Sequence, residues 1–187
     1  PAQRASRRGG FIAAVDPSVI LPVAQLPPRL ISVQFAAAAA GDYLAGAVIS
    51  NSATDTAGLP VRLTNAARKP GEIVTVYKVY AICNEDSILA RLRLHFFNQA
   101  PLPAEVEMDD NAPFTLTTLD GAVKSVGYMD LAAFADKGAF SESQSNQLRE
   151  EFACSPASRD LWFVVETLDG EANEAAGMTL RFDLYVG

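Results

Sequence analysis

The stretch from Gly71 to Phe97 limits the fold of this chain more than any other. It reads GEIVTVYKVY, then AICNEDS, then ILARLRLHFF. Strand side chains alternate between two faces with period two. In the first run Ile73, Thr75, Tyr77 and Val79 fall on one face and Val74, Val76, Lys78 and Tyr80 on the other. Both faces are largely apolar, which suits a central strand covered on both sides. In the second run Leu92, Leu94 and Phe96 oppose Arg91, Arg93, His95 and Phe97, the pattern of a half-buried strand. Asn84, Glu85, Asp86 and Ser87 between them are turn formers, so the sequence predicts an antiparallel pair at the centre of one sheet.

Shorter β-rich runs flank that pair. Leu30–Phe35, Asp42–Ser50, Leu59–Thr64, Ala122–Met129, Gln147–Ala153, Leu161–Leu168 and Met178–Val186 read as strands, with Gly, Pro, Asn or Asp between them. In the last, Met178, Leu180, Phe182 and Leu184 share one face. Ala36–Ala40 reads as a tight crossing of small residues, and Asn51–Gly58, Phe140–Asn146 and Asp169–Ala176 as loops. Asp109, Asp110 or Asn111 is placed to cap one short helix with Pro113 in its first turn, running to Leu119, with Gly121 ending it. The expected fold is all-β: an antiparallel, jelly-roll-like β-sandwich over residues 30–187 with one short helix. A length of 187 residues with 49% hydrophobic and 20% charged residues suits one such core.

Residues 1–29 differ from the rest. Pro17, Pro22, Pro27 and Pro28 each remove a backbone donor, so Phe11–Leu30 is neither a helix nor a central strand. It reads as an extended N-terminal arm carrying Phe11, Ile12, Val19, Ile20 and Leu21, apolar residues that need a cover. Arg4, Arg7, Arg8 and Arg29 face one acid, Asp16, in this arm, and the remainder carries the excess acid behind the net charge of −7. A basic arm on an acidic body can dock on copies of itself or on another acidic surface. The acidic body argues against nucleic acid as a ligand. No apolar run reaches the roughly 20 residues of a membrane span, and the start lacks the apolar core of a signal peptide.

Chemistry is sparse. Cys83 and Cys154 lack the spacing of a zinc site or redox pair and read as free thiols. His95 is the single histidine, on a strand face with Arg91 and Arg93, and reads as structural. No nucleophile elbow, metalloprotease helix or phosphate loop occurs, so the chain is not expected to be an enzyme and implies no cofactor. The loop Glu105, Glu107, Asp109, Asp110 and Asn111 offers the hard oxygens calcium takes, without EF-hand spacing. Trp162, Tyr77, Tyr80 and Tyr128 are candidates for an aromatic sugar-binding platform, against the commoner role of strand aromatics as core.

The segments LTNAARKPGEIVTVYKVY, LRLHFFNQAP, DDNAPFTL, VKSVGYM and TLRFDLYV resemble a small virion protein of tailed bacteriophages. The resemblance covers Leu59–Val186 and rests on an NAxRxxG turn before a long strand, an LxFF strand before a proline-bearing loop, and a DNAxF segment. It implies a β-sandwich on the capsid surface, a decoration or cement protein whose partner is the major capsid protein. On that reading Arg4, Arg7 and Arg8 grip acidic capsid surface while Phe11, Ile12, Val19, Ile20 and Leu21 supply apolar contact. A homo-oligomer, trimer or dimer, made in the host cytoplasm and carried on the virion, is expected, with neither nucleic acid nor membrane as partner. Another phage structural part, of tail or fibre anchor, and a carbohydrate-binding module for host adhesion are the alternatives.

Overall fold

The computed structural model describes residues 27–38, 41–52, 58–85, 89–174 and 178–187. The elements are β1 (Arg29–Ala36), β2 (Gly41–Tyr43), β3 (Val48–Ile49), β4 (Val61–Leu63), β5 (Ile73–Cys83), β6 (Leu92–Phe97), α1 (Leu119–Lys124), β7 (Ser125–Asp130), β8 (Ala135–Asp136), β9 (Ser141–Gln144), β10 (Glu150–Ala153), β11 (Leu161–Thr167), β12 (Glu171–Glu174) and β13 (Thr179–Val186). They form an antiparallel β-sandwich, as the strand pattern predicts. One sheet runs β1-β13-β5-β9-β8 with β10 also on β5; the other runs β3-β11-β6-β7 with β4 also on β11. A two-stranded ribbon, β12 on β2, stands apart from both.

The core lies between the sheets. Alternate residues of β13 (Leu180, Phe182, Leu184, Val186) face Leu92, Leu94 and Phe96 of β6 and Leu161, Phe163 and Val165 of β11, all essentially inaccessible to water. Phe163 lies edge-on to Phe182 of the opposite sheet at 5.3 Å between centroids and beside Phe96 at 5.8 Å. Phe96 in turn stacks on Phe152 at 4.3 Å. Gly127, opposite Phe96 in β7, makes room for that ring: at φ 135° a Cβ there would sit 3.1 Å from Phe152. A smaller apolar cluster, Val48, Phe97, Val106, Met108 and Val164 with Phe114 and Trp162, lies outside the second sheet. There the chain over 105–117 folds on itself and lies along β3, with Val48 and Phe114 donating backbone bonds to Ala112 and Gly46.

Several expectations fail for definable reasons. β5 and β6 do not pair; each is central in a different sheet. The inward phase of β5 also changes. Val74 and Val76 are buried, then Val79, Ala81 and Cys83, because the register against β13 slips where Tyr185 pairs with Lys78 and Val186 with Val76. Such a bulge puts two residues against one and turns the strand over. The predicted strand Asp42–Ser50 is two short strands, broken by a turn at Gly46, whose φ of 85° suits glycine. Phe140–Asn146 is no loop: β9 inserts into the first sheet with Ser141 and Ser143 inward. Their hydroxyls donate to the carbonyls of Glu85 and Ala132, so small polar residues occupy a buried face at little cost. β12 replaces part of the expected loop at 169–176.

The helix is displaced too. It does not start at Asp109–Asn111 but at Thr118, whose hydroxyl accepts from Gly121 N–H, and Gly121 lies inside it. A Cβ on Gly121 would stand 2.4 Å from the carbonyl oxygen of Glu105, so close approach of backbones, not termination, requires this glycine.

Candidate functional site

The sequence-predicted interface residues Arg4, Arg7, Arg8, Phe11, Ile12, Val19, Ile20 and Leu21 lie outside the described residues. What is described is the point where the arm meets the body. Arg29, first residue of β1, donates to the carbonyls of Asn65 and Ala66 at 3.0 and 2.7 Å, and Arg68 donates to the carbonyl of Pro27 at 3.4 Å. Asn65 holds a left-handed φ of 54°, and its N–H is accepted by Asp160, which also pairs with Arg62. The NAARKP turn therefore works as a bracket. Its Asn65 and Ala66 carbonyls hold the Arg29 guanidinium while its Arg68 guanidinium holds the Pro27 carbonyl, which fixes the direction of the chain at Pro27, a direction Pro27-Pro28 keeps extended.

The densest titratable cluster lies on the outer face of the second sheet. His95 Nε2 stands 2.6 Å from Glu166 Oε2, and Phe114 stacks on the imidazole at 3.8 Å. One register step away Arg93 grips Asp130 with two bonds and lies over Tyr128 at 4.2 Å. These groups satisfy one another across β11, β6 and β7, so the constellation orders a sheet face. Sequence spacing placed Arg93 and His95 on one face; their partners on β7 and β11 needed the register.

Burial pushes the His95 imidazole below its ordinary range, with the bond to Glu166 working partly against it. The folded chain therefore prefers the neutral ring. Stability from this site is full above the unfolded value near 6.5 and is lost as pH falls below it, because the unfolded chain takes up the proton more readily. Thermal melts should show a lower midpoint at pH 5.5 than at pH 7.5, and His95→Gln should flatten that difference. A midpoint that rises on acidification would show the imidazolium–Glu166 pair winning instead.

The acidic loop does not converge. Glu105 accepts from Lys124 and from the N–H of Leu102, Glu107 from the N–H of Asp109, and Asp110 from the Tyr43 hydroxyl and the Ser50 N–H, while Asn111 donates to the carbonyl of Asp42. Among the described residues no group of three or more His, Cys, Asp or Glu side chains could hold a metal ion. The loop's carboxylates serve as local staples. The aromatic candidates are likewise divided: Tyr77 and Tyr80 stand on β5, Trp162 and Tyr128 on the other sheet. Trp162 packs on the outer apolar cluster, and Tyr80 meets Tyr185 and Lys78.

Cys83 and Cys154 are both buried, and neither is in a disulfide. Burial raises the Cys154 thiol to about 11, which keeps it protonated and unreactive. Neither cysteine of the native protein should react with a thiol reagent within the time that both react after denaturation; rapid native labelling would show an opening that the folded body does not contain.

No known protein family, curated protein or solved structure matches this chain. Among the described residues no helix is long and apolar enough to cross a membrane.

Proposed function

We propose that this chain is a structural virion protein: a decoration, or cement, protein that binds the outer surface of an assembled tailed-phage head through its arm and sheet. The major capsid protein is the partner, the chain acts as a homo-oligomer on the virion, and no catalysis is involved. The likeness of the Leu59–Val186 motifs to small virion proteins gives the reading its direction. The observation that carries it is the bracket at Pro27. Arg29 and Arg68 fix where a basic, apolar-bearing segment leaves the sandwich. A body built this way delivers its arm in a defined direction to another protein surface. Binding the assembled shell in preference to free subunits stabilises the shell by mass action, and many copies multiply a modest contact.

The experiment adds purified protein to heads stripped of their decoration. The whole chain should saturate them and raise the temperature at which they release DNA. A chain beginning at Pro27 keeps every described strand and should bind at least about tenfold more weakly, as should the chain with Arg4, Arg7 and Arg8 changed to Ser, if each arginine contributes on the order of 1 kcal/mol. Full occupancy by the shortened chain would end the proposal, and so would failure of the whole chain to bind. A sugar-binding role is disfavoured by the division of the aromatic candidates between two sheets.

A further inference from the structure

Among the described residues the first sheet has one long border without a strand partner on its outer side. Among the described residues β1 pairs only with β13, through eight consecutive residues without a register shift. From Leu30 to Ala36 it contains no charge, no proline and no bulge. The other borders are blunted in the ways proteins use against strand addition. β8, β3 and β4 are two or three residues long, β10 carries Glu150 and Glu151, and β7 is bent at Gly127. The inward residues of β1 are also unlike those of every central strand: Ile31, Val33 and Phe35 are only half-buried against the core. Beside them a groove of about 280 Å³ opens on the same flank, between Val33–Phe35 and Leu59–Arg62.

We infer that β1 is a homodimer surface, on which β1 of a second copy adds antiparallel about a two-fold axis at Val33. Two independent features select this occupant. Among the described residues the outer edge of β1 has no strand partner and calls for one, and a seven-residue uncharged run, Leu30–Ala36, is what a second copy offers. The side chains also match themselves. With Val33 opposite Val33, Ile31 of each copy meets Phe35 of the other and enters the groove, while on the solvent face Ser32 meets Gln34 and Leu30 meets Ala36. A shift by two residues one way would set Arg29 against Phe35, and the Arg29 guanidinium is already committed to Asn65 and Ala66. The same shift the other way sets Ile31 against Ala37, beyond the end of β1. The contact is isologous, as closed dimers require. It joins the two first sheets into one continuous sheet. The inference deepens the homo-oligomer part of the proposed function by naming the surface, and its test in solution reads only the chain's contact with itself, so its failure is distinct from failure to bind heads.

A strand-on-strand contact of this kind falls below about 1,200 Å² and gives micromolar association. Sedimentation of the full chain should show a monomer–dimer equilibrium in that range. Ser32 and Gln34 are exposed, so Ser32→Lys with Gln34→Lys leaves the fold intact, which a melt checks, yet sets two lysine pairs directly opposite each other across the axis. The double variant should dimerise at least about tenfold more weakly. Ser32→Cys with Gln34→Cys should instead form a reducible cross-linked dimer, because opposed residues lie within disulfide reach. A monomer at several hundred micromolar, on the order of a hundredfold above the expected range, overturns the inference. So does a trimer, a dimer indifferent to the lysine pair, or a dimer abolished by Val19→Asp with Leu21→Asp in the arm but untouched by the lysines. The last result would name the arm as the occupant of this edge.

Discussion

Replacing Phe163 by alanine should lower stability by about 3–5 kcal/mol, the range for emptying a fully buried phenylalanine site. The ring is the link between sheets: it belongs to β11, meets Phe182 of β13 edge-on, and touches Phe96, which stacks on Phe152. Its neighbours are rings and aliphatic residues held by two separate hydrogen-bonded sheets, so the walls cannot close over the void without moving a whole strand. For a chain of this size the midpoint of thermal unfolding should fall by roughly 10 °C. Phe163→Leu keeps most of the volume and should cost under about 1.5 kcal/mol. Denaturant unfolding of the two variants decides the matter; a loss under about 1 kcal/mol for the alanine variant would contradict the packing described.

The second large effect has the opposite sign from helix propensity. Gly→Ala inside a helix ordinarily stabilises by about 1 kcal/mol. Gly121→Ala in α1 should instead destabilise by about 2–3 kcal/mol, because the new methyl must displace the Glu105 carbonyl oxygen 2.4 Å away. That oxygen is not free to retreat. It accepts from Thr117 N–H at 2.9 Å, and the Glu105 side chain is held by Lys124 and the Leu102 N–H. Ala122→Gly, one position on and exposed, serves as the control and should cost no more than about 1 kcal/mol. If Gly121→Ala melts at or above the parent, the helix does not lie against residue 105.

What the sequence discloses about this fold follows from how often one face of a strand differs from the other. β13 alternates cleanly, as does β6 up to Phe96, and their inward residues are those the pattern assigns; Phe97, on the other face of β6, is buried as well, under the outer apolar cluster. β5 is apolar on both faces, so nothing in its composition marks the bulge beside Tyr77 and Lys78 that moves Val79 to the core side. β9 hides for the reverse reason: its inward residues are serines, whose burial becomes acceptable only when Glu85 and Ala132 supply carbonyls from distant strands. Gly121 looks like a helix terminator because its true reason, the backbone of Glu105, is tertiary. The separation of β5 from β6 is of the same kind. A short polar link is as compatible with a hairpin as with a step from one sheet to the other, and long-range pairing decides. Of the candidate site, the pairing of Arg93 and His95 on one face was legible, their carboxylate partners were not, and the arm residues fall outside the described structure.

The place of β13 between β1 and β5 has a bearing on synthesis. Arg29 finds its strand neighbour only at Val186, so a growing chain leaves the ribosome with its most sociable strand bare along both sides until the last stretch of the sheet has emerged. Encounter between nascent copies on one polysome would then compete with closure of each body. Folding dominated by such distant pairings is slow, in the millisecond-to-second class. Expression temperature and chaperone supply should therefore govern the yield of native protein more strongly than its final stability does.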